Sequence, residues 1–358
     1  MRKAYLDNLR ICTVLSVVVY HAAYLFNGQG IPVGITAGHG IALFDLFALS
    51  VYPWFMVLLF IIAGMSARFS LEKRTMKEFI KERTRKLLVP STLGLFAFHI
   101  WTGYYNMRNA GADFSAIPAP LKPIVMALSG TGVLWFVQML WLFSVLLLPL
   151  LRRITYLEEL GRRSGYAALF MFSILIYASA QVLNAPVIIV YRFGIYAVSF
   201  LLGYYAFSDE GVMERVDKAR FAFLFLAVLS YALYLIRFRG TDYTASACLK
   251  DISTNLYAYF MSSALLGIFR HYADRSNDLL DHLRKDEFGI YVFHYTPMVT
   301  AAYYLVRADL PYILNYLIVI ASGILGSIAL FEAVRRIPVY RYAVLGIRGK
   351  GSFHKNSN

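Results

Sequence analysis

Arg10 and His21 stand eleven residues apart in the run YLDNLRICTVLSVVVYHAAYLF, Tyr5 to Phe26, which is otherwise almost wholly apolar. On a helix, at roughly 100° and 1.5 Å per residue, the two fall on nearly one face, about 16 Å apart along the axis. A guanidinium at the edge of a membrane-length run meets phosphates or headgroups. An imidazole deep inside it can stay neutral, which lowers the cost of burial, and can accept a proton. The pair suits proton transfer at His21 with an anion held near Arg10. It equally suits a histidine bonded to a neighbouring helix and an arginine that anchors the interface.

Other polar residues sit where hydrocarbon makes them expensive. Arg192, in VIIVYRFGIY, is expected inside the outer half of a span, where its charge must be paired or face a wet cavity. His294, in FGIYVFHYTPMV, falls near the middle of another, three residues before Pro297, which frees backbone groups that need partners. With suitable helix packing, His21, His294 and Arg192 would line one polar cavity. His99 and Glu332 lie near span ends, where snorkelling is expected of them. The segment KEFIKERTRKLLVP crowds Lys77, Lys81, Arg83, Arg85 and Lys86 before a proline. Such a cluster is either a topology signal or a surface for a polyphosphate ligand, since arginine forks and lysine charges suit phosphate.

The elements that must position these residues are membrane helices. The chain has 358 residues, 59% hydrophobic and only 16% charged, with a mean hydropathy of +0.57, too apolar for an ordinary water-soluble fold. Continuously apolar windows argue for helices over a barrel, whose strands would alternate. About ten windows qualify, near 8–27, 47–69, 87–105, 133–151, 166–183, 187–206, 219–237, 252–270, 287–306 and 311–333. The first is long for a signal peptide and lacks a clean cleavage site, so it reads as a retained helix.

A cytoplasmic amino terminus puts about 28 of the 35 Lys and Arg inside and about six in outer loops, as the positive-inside rule requires. The fold class expected is therefore an all-α polytopic bundle of about ten transmembrane helices with both termini cytoplasmic. Residues 1–340 form one membrane domain and 341–358 a basic cytoplasmic tail. That topology accounts for the net charge of +14 without nucleic acid. Cys12 and Cys248 are too few for a disulfide framework or a metal cage, and no metal is expected. Aromatic clusters such as WTGYYN fit interfacial belts.

The run YLDNLRICTVLSVVVYH resembles the first helix of the membrane acyltransferase family 3, which includes O-antigen acetylases and glucan succinyltransferases; Arg10 and His21 match its Arg-x10-His signature. FIIAG, Phe60 to Gly64, is similar to the family's second-helix motif, with Ala63 in place of Ser. RTRKLLVP is similar to its Arg-x-x-Arg loop, with Arg83 first and Lys86, which lacks a bidentate fork, second. GVLWFVQMLWLFS, with Trp135, and FGIYVFH match later segments. The resemblance runs from about residue 5 to 334.

It implies an enzyme of the plasma (inner) membrane of a prokaryote. Such an enzyme moves an acyl group, acetyl or succinyl, from cytoplasmic acyl-CoA, usually acetyl-CoA, to a glycan hydroxyl at or beyond the outer face. His21 and Arg10 would be catalytic, with His21 either the base for the hydroxyl or a covalent acyl carrier. Arg83, Arg85 and Lys86 would hold the cofactor, and Arg192, His294 and Trp135 the acceptor. The competing functions are a proton-coupled transporter or lipid-linked sugar flippase, which inverted repeats would favour, and a non-catalytic scaffold or sensor.

Overall fold

The computed structural model describes residues 3–28, 40–151, 154–186, 190–308 and 310–347. It is 82% helical, which settles the choice between bundle and barrel. α1 (Ala4–Leu25) is apolar on every side and packs against five other helices, so His21 is delivered to the middle of the bundle. α2 (Ala42–Leu71) lies beside it. Gly64, the last residue of FIIAG, lets the α2 backbone meet that of the helix Phe193–Leu202: a Cβ at this position would stand 1.9 Å from the carbonyl oxygen of Phe200.

α3 (Met76–Arg83) starts on a capping box, with Glu78 N–H donating to Thr75 Oγ1 at 3.3 Å and Thr75 N–H to Glu78 Oε2 at 2.9 Å. The helix continues through α4 (Val89–Gly94) and α5 (Ile100–Asn109), joined by π-turns at Thr84–Leu88 and Leu95–His99. α6 (Lys122–Ser129) and α7 (Leu134–Leu142) meet at an elbow, residues 130–133, in a pair bent by 77°. After a further π-turn, Phe143–Leu147, come α8 (Leu148–Leu151), α9 (Thr155–Arg162) and α10 (Tyr166–Ser179).

The sixth window departs from expectation. Instead of entering helix at once, the chain makes a short antiparallel hairpin of β1 (Asn184–Pro186) and β2 (Val190–Arg192), with Asn184 opposite Arg192. Val190 and Tyr191 favour extended backbone, and helix α11 (Phe193–Leu202) begins only afterwards. Arg192 is thus the cap of this helix and not an interior residue. α12 (Glu210–Lys218), α13 (Arg220–Phe238), α14 (Ser246–Lys250) and α15 (Ile252–Tyr272) follow.

The ninth window also changes. α16 starts nine residues early and runs Asp278–Phe293, the helix breaks at His294, and α17 (Tyr295–Leu305) carries Pro297 in its first turn, where the missing N–H costs nothing. α18 (Tyr312–Arg336) and α19 (Pro338–Leu345) complete the described chain, and α19 lies on α4 across the expected domain boundary at residue 340.

Among the described residues, five helices are long and apolar enough to cross a membrane: α1, α2, α13, α15 and α18. The bent α6–α7 pair is a broken span or a re-entrant loop and makes six if counted as one span, and α10 and α11 with its π-turn are shorter apolar helices. The remaining windows hold helix interrupted by π-turns or by the break at His294. The window reading misses those interruptions because hydropathy records composition and not continuity. α13 and α18 are mostly uncovered, with side chains such as Ile236 and Leu325 more than two-thirds exposed, as lipid-facing helices are. The chain is a multi-pass membrane protein.

Candidate active site

The structure joins the two histidines singled out in the sequence. His294 Nδ1 lies 2.9 Å from the carbonyl oxygen of Tyr291 and 3.1 Å from that of Ile290, acceptors exposed by the helix break. Carbonyls only accept, so Nδ1 carries the proton and, in a neutral imidazole, Nε2 is an acceptor. That Nε2 stands 3.1 Å from His21 Nδ1. His21 therefore donates from Nδ1–H. The outcome is a fixed tautomer in which His21 Nε2 holds an unused lone pair. His294 is fully buried, whereas His21 keeps some accessible surface.

The walls come from several elements. The Tyr295 ring packs 5.0 Å from that of His21, and Tyr20 lies 5.2 Å away on the other side. The α6–α7 elbow closes over the pair: Tyr291 donates to the carbonyl of Val133 at 2.6 Å, and Gly132 abuts Tyr295. His99, expected to snorkel at a span end, is 2% exposed. The reason is the π-turn that ends on it together with Gly130 of the elbow, whose Cβ would lie 1.9 Å from the His99 carbonyl oxygen. The elbow covers what would otherwise be an open helix face. Glu332 does reach outward, paired with Arg335 at 2.8 Å.

Arg192 does not join the histidines directly. It is 2% exposed and donates to the carbonyl of Leu249 at 2.7 Å and to Asn255 Oδ1 at 2.8 Å, while its Nε has no partner. Its charge reaches Tyr52 and Tyr196, and Tyr52 packs 5.8 Å from Tyr20, the neighbour of His21. Trp135 packs 5.6 Å from Tyr196 and 6.5 Å from Phe60. A passage of stacked aromatic rings, close-packed and not open, thus runs from the buried guanidinium toward the histidine pair.

At the inner end, Arg10 is not free. Its Nε donates to Glu287 and its Nη2 to Asp7 at 3.2 Å, and Arg284 lies 3.9 Å from Asp7. Two arginines face two carboxylates, and this cluster ties α1 to α16 below their histidines. Glu287 and Asp7 carry a role here that spacing along the chain did not suggest; their partners come from the opposite end of the sequence.

Arg83 and Arg85 have no carboxylate within ion-pair distance among the described residues, and Arg85 Nε is buried without a partner. Burial, partly offset by the charge of Glu82 and reinforced by those of Arg74 and Arg10, lowers the Arg83 guanidinium to about 10, still cationic at neutral pH. Lys86, by contrast, is exposed and paired with Glu82 at 2.6 Å. An open cleft lined by Glu158, Glu159, Arg162, Arg163 and Asp209 lies apart from all this, with Arg162 paired to Asp209, Arg163 to Glu159 and Glu158 to Arg68.

A buried imidazole pair bonded ring to ring lies within a helical membrane bundle, with the ion-paired cluster of Arg10 further along α1. Residues 3–332 match the family model described as an acyltransferase domain, and the chain belongs to acyltransferase family 3. It is a membrane acyltransferase. Neither a curated protein nor a solved structure matches it.

Proposed function

We propose that the chain is an O-acyltransferase that takes an acyl group, acetyl or succinyl, from cytoplasmic acyl-CoA and delivers it to a hydroxyl of a cell-surface or exported glycan. The enzyme works in the plasma (inner) membrane of a prokaryote, with ten helical segments crossing the bilayer and both termini inside. The observation that carries the reading is the tautomer of the histidine pair. A sugar hydroxyl is a weak nucleophile, and the lone pair on His21 Nε2 is a base for its proton. His294 stabilises the imidazolium that forms by accepting from Nδ1–H, much as the third member of a catalytic triad does. The hydroxyl oxygen attacks the thioester carbonyl, the C–S bond breaks, and the His21 proton passes to the leaving thiolate. The same lone pair also serves the covalent route, in which Nε2 itself takes the acyl group first.

The inner cations support the donor's placement. Arg83 and Arg85 offer uncompensated guanidinium groups for phosphate. Arg10 and His21 are about 16 Å apart along α1, and an extended pantetheine arm, at roughly 1.2 Å per bond, has about that reach. A donor held by its phosphates at the inner face would present its thioester at the histidines. Arg192, Trp135 and the tyrosines of the passage suit an acceptor sugar, which stacks on rings and bonds to charge. Transporter and scaffold readings give no account of membership in an acyltransferase family.

The test is incorporation of labelled acetate into surface glycan in cells with and without the gene, repeated with labelled succinate. Label that depends on the gene supports the reading; equal incorporation of both labels in both strains overturns it.

A further inference from the structure

α5 and α17 lie side by side, and the seam between them is polar along its length. Thr102 Oγ1 is 2.6 Å from Thr296 Oγ1, two residues beyond His294, and Asn109 donates to the carbonyl of Val299 at 3.2 Å. The seam ends on a cluster of rings and cations. Tyr303 packs 5.5 Å from Tyr105 and 5.1 Å from Tyr304, and Tyr104 lies 5.2 Å from Tyr105. Arg108 Nη2 donates to Tyr303 Oη at 3.2 Å. The Arg307 guanidinium lies 3.8 Å from the centre of the same ring and donates to the Tyr303 carbonyl. Both arginines are exposed, and Tyr304 is 59% exposed. The cluster stands at the end of the bundle away from Arg10, because Tyr316, early in α18, donates to the carbonyl of Phe26 at the end of α1.

An interfacial belt accounts for tyrosines at this depth but has no need of two unneutralised cations among them. Arg108 and Arg307 have no carboxylate within ion-pair distance among the described residues. They are also two of the about six basic residues that the charge pattern puts on the outer side, where such residues are scarce. Ring faces suit the C–H surface of a pyranose, and guanidinium N–H groups that tyrosine leaves unused form charge-assisted bonds with carboxylate or phosphate.

We infer that this cluster is the docking site of the acceptor, and that the acceptor is an anionic glycan whose carboxylate or phosphate settles at Arg108 and Arg307. The inference rests on the acyl-transfer reading above and names the class of its acceptor. Tyr303 follows His294 by nine residues, about 14 Å along the helix, a distance that a short sugar chain spans. The cluster is exposed, unlike the close-packed passage at Arg192, so a glycan meets it first and with no movement of the bundle. It selects the glycan and leaves the chemistry to His21.

The first measurement is transfer of labelled acetate from acetyl-CoA to surface glycan taken from cells lacking the gene. The glycan is offered intact, with its carboxylates reduced to alcohols, or stripped of phosphate. In Tyr303→Ala, and in Arg108→Gln combined with Arg307→Gln, KM for the intact glycan is expected to rise about tenfold, the factor that about 1.4 kcal/mol of lost contact gives. The kcat and the KM for acetyl-CoA should stay within about twofold of wild type, and Tyr303→Phe, which keeps the ring, should hold KM for the glycan within about threefold. Removing the charged group that the cluster reads should raise the wild-type KM as far as the double Gln variant does. A glycan KM unchanged in Tyr303→Ala and in the double variant would make the cluster a belt and overturn the docking site. Equal wild-type KM for all three forms of the glycan would overturn its anionic character. The second measurement is retention of fluorescently tagged glycan by detergent-extracted protein with no donor present. Retention by wild type that the double Gln variant loses, in an enzyme that transfers no acyl group, would strike the proposed function and keep the docking site. Transfer by wild type with cluster variants that match it in both measurements would strike the docking site alone.

Discussion

Replacing His21 by Gln keeps a hydrogen-bonding side chain at the same depth but removes the ability to take a proton. Transfer should fall by 10²–10⁴-fold, the span of general-base contributions, with detergent-extracted yield unchanged; a variant holding most of the wild-type rate would make His21 a packing residue. His294→Asn should lose about 10²-fold, since Nε2 no longer accepts from His21 and the tautomer is released. Labelling in the absence of acceptor separates base from carrier: acyl label that survives denaturation on wild type but not on His21→Gln marks the covalent route. The two histidines were legible in the sequence because charge-bearing residues are rare in apolar runs. His99 was not. Its place near a span end reads as solvent-facing, and the glycine elbow that buries it comes from residues 130–133, which hydropathy treats as an ordinary loop.

At the scale of elements, the cluster of Arg10 with Glu287 and Asp7 sets how α1 and α16 lie together, and with them the distance between the histidines. Arg10→Lys keeps charge but loses the fork that engages two carboxylates, so kcat should fall only about three- to tenfold. Glu287→Gln should cost about tenfold, or roughly 1.4 kcal/mol in the barrier, without altering KM for acyl-CoA, because the effect is on alignment. A raised KM with normal kcat in either variant would instead put this cluster in the donor site. Gly64→Val would drive a side chain into the carbonyl of Phe200, and a detergent melting temperature lowered by an overpacking cost of about 1–3 kcal/mol is the expected reading. Helix content was legible from continuous apolar runs. The breaks were less so: the hairpin at Arg192 depends on Val190 and Tyr191 beating a hydropathy signal, and the π-turns depend on packing against distant chain.

For the whole molecule, the proposed reaction requires the basic segment Lys77–Lys86 to face the cytoplasm. Reporter fusions in the Lys77–Lys86 loop and after Leu345 should both report cytoplasm; a tail found outside would mean an odd number of spans. Arg83→Gln should raise KM for acyl-CoA about tenfold with little change in kcat, whereas Lys86→Gln should change it less, because Lys86 is exposed and already neutralised by Glu82. Equal effects would show that the fork at Arg83 has no special place.

The neutral tautomer chain through His21 and His294 has an electrical consequence. If the proposed reaction runs with acetyl-CoA, the phosphates stay at the inner face, the acetyl group crosses uncharged and the proton taken from the hydroxyl returns with the thiol, so that a turnover carries no net current. Moving one elementary charge through the full field is worth about 2.3 kcal/mol per 100 mV, close to fiftyfold in rate. Turnover in proteoliposomes should therefore change less than about twofold when a diffusion potential of roughly 100 mV is imposed in either direction, and an energised and a de-energised membrane should serve this enzyme equally well.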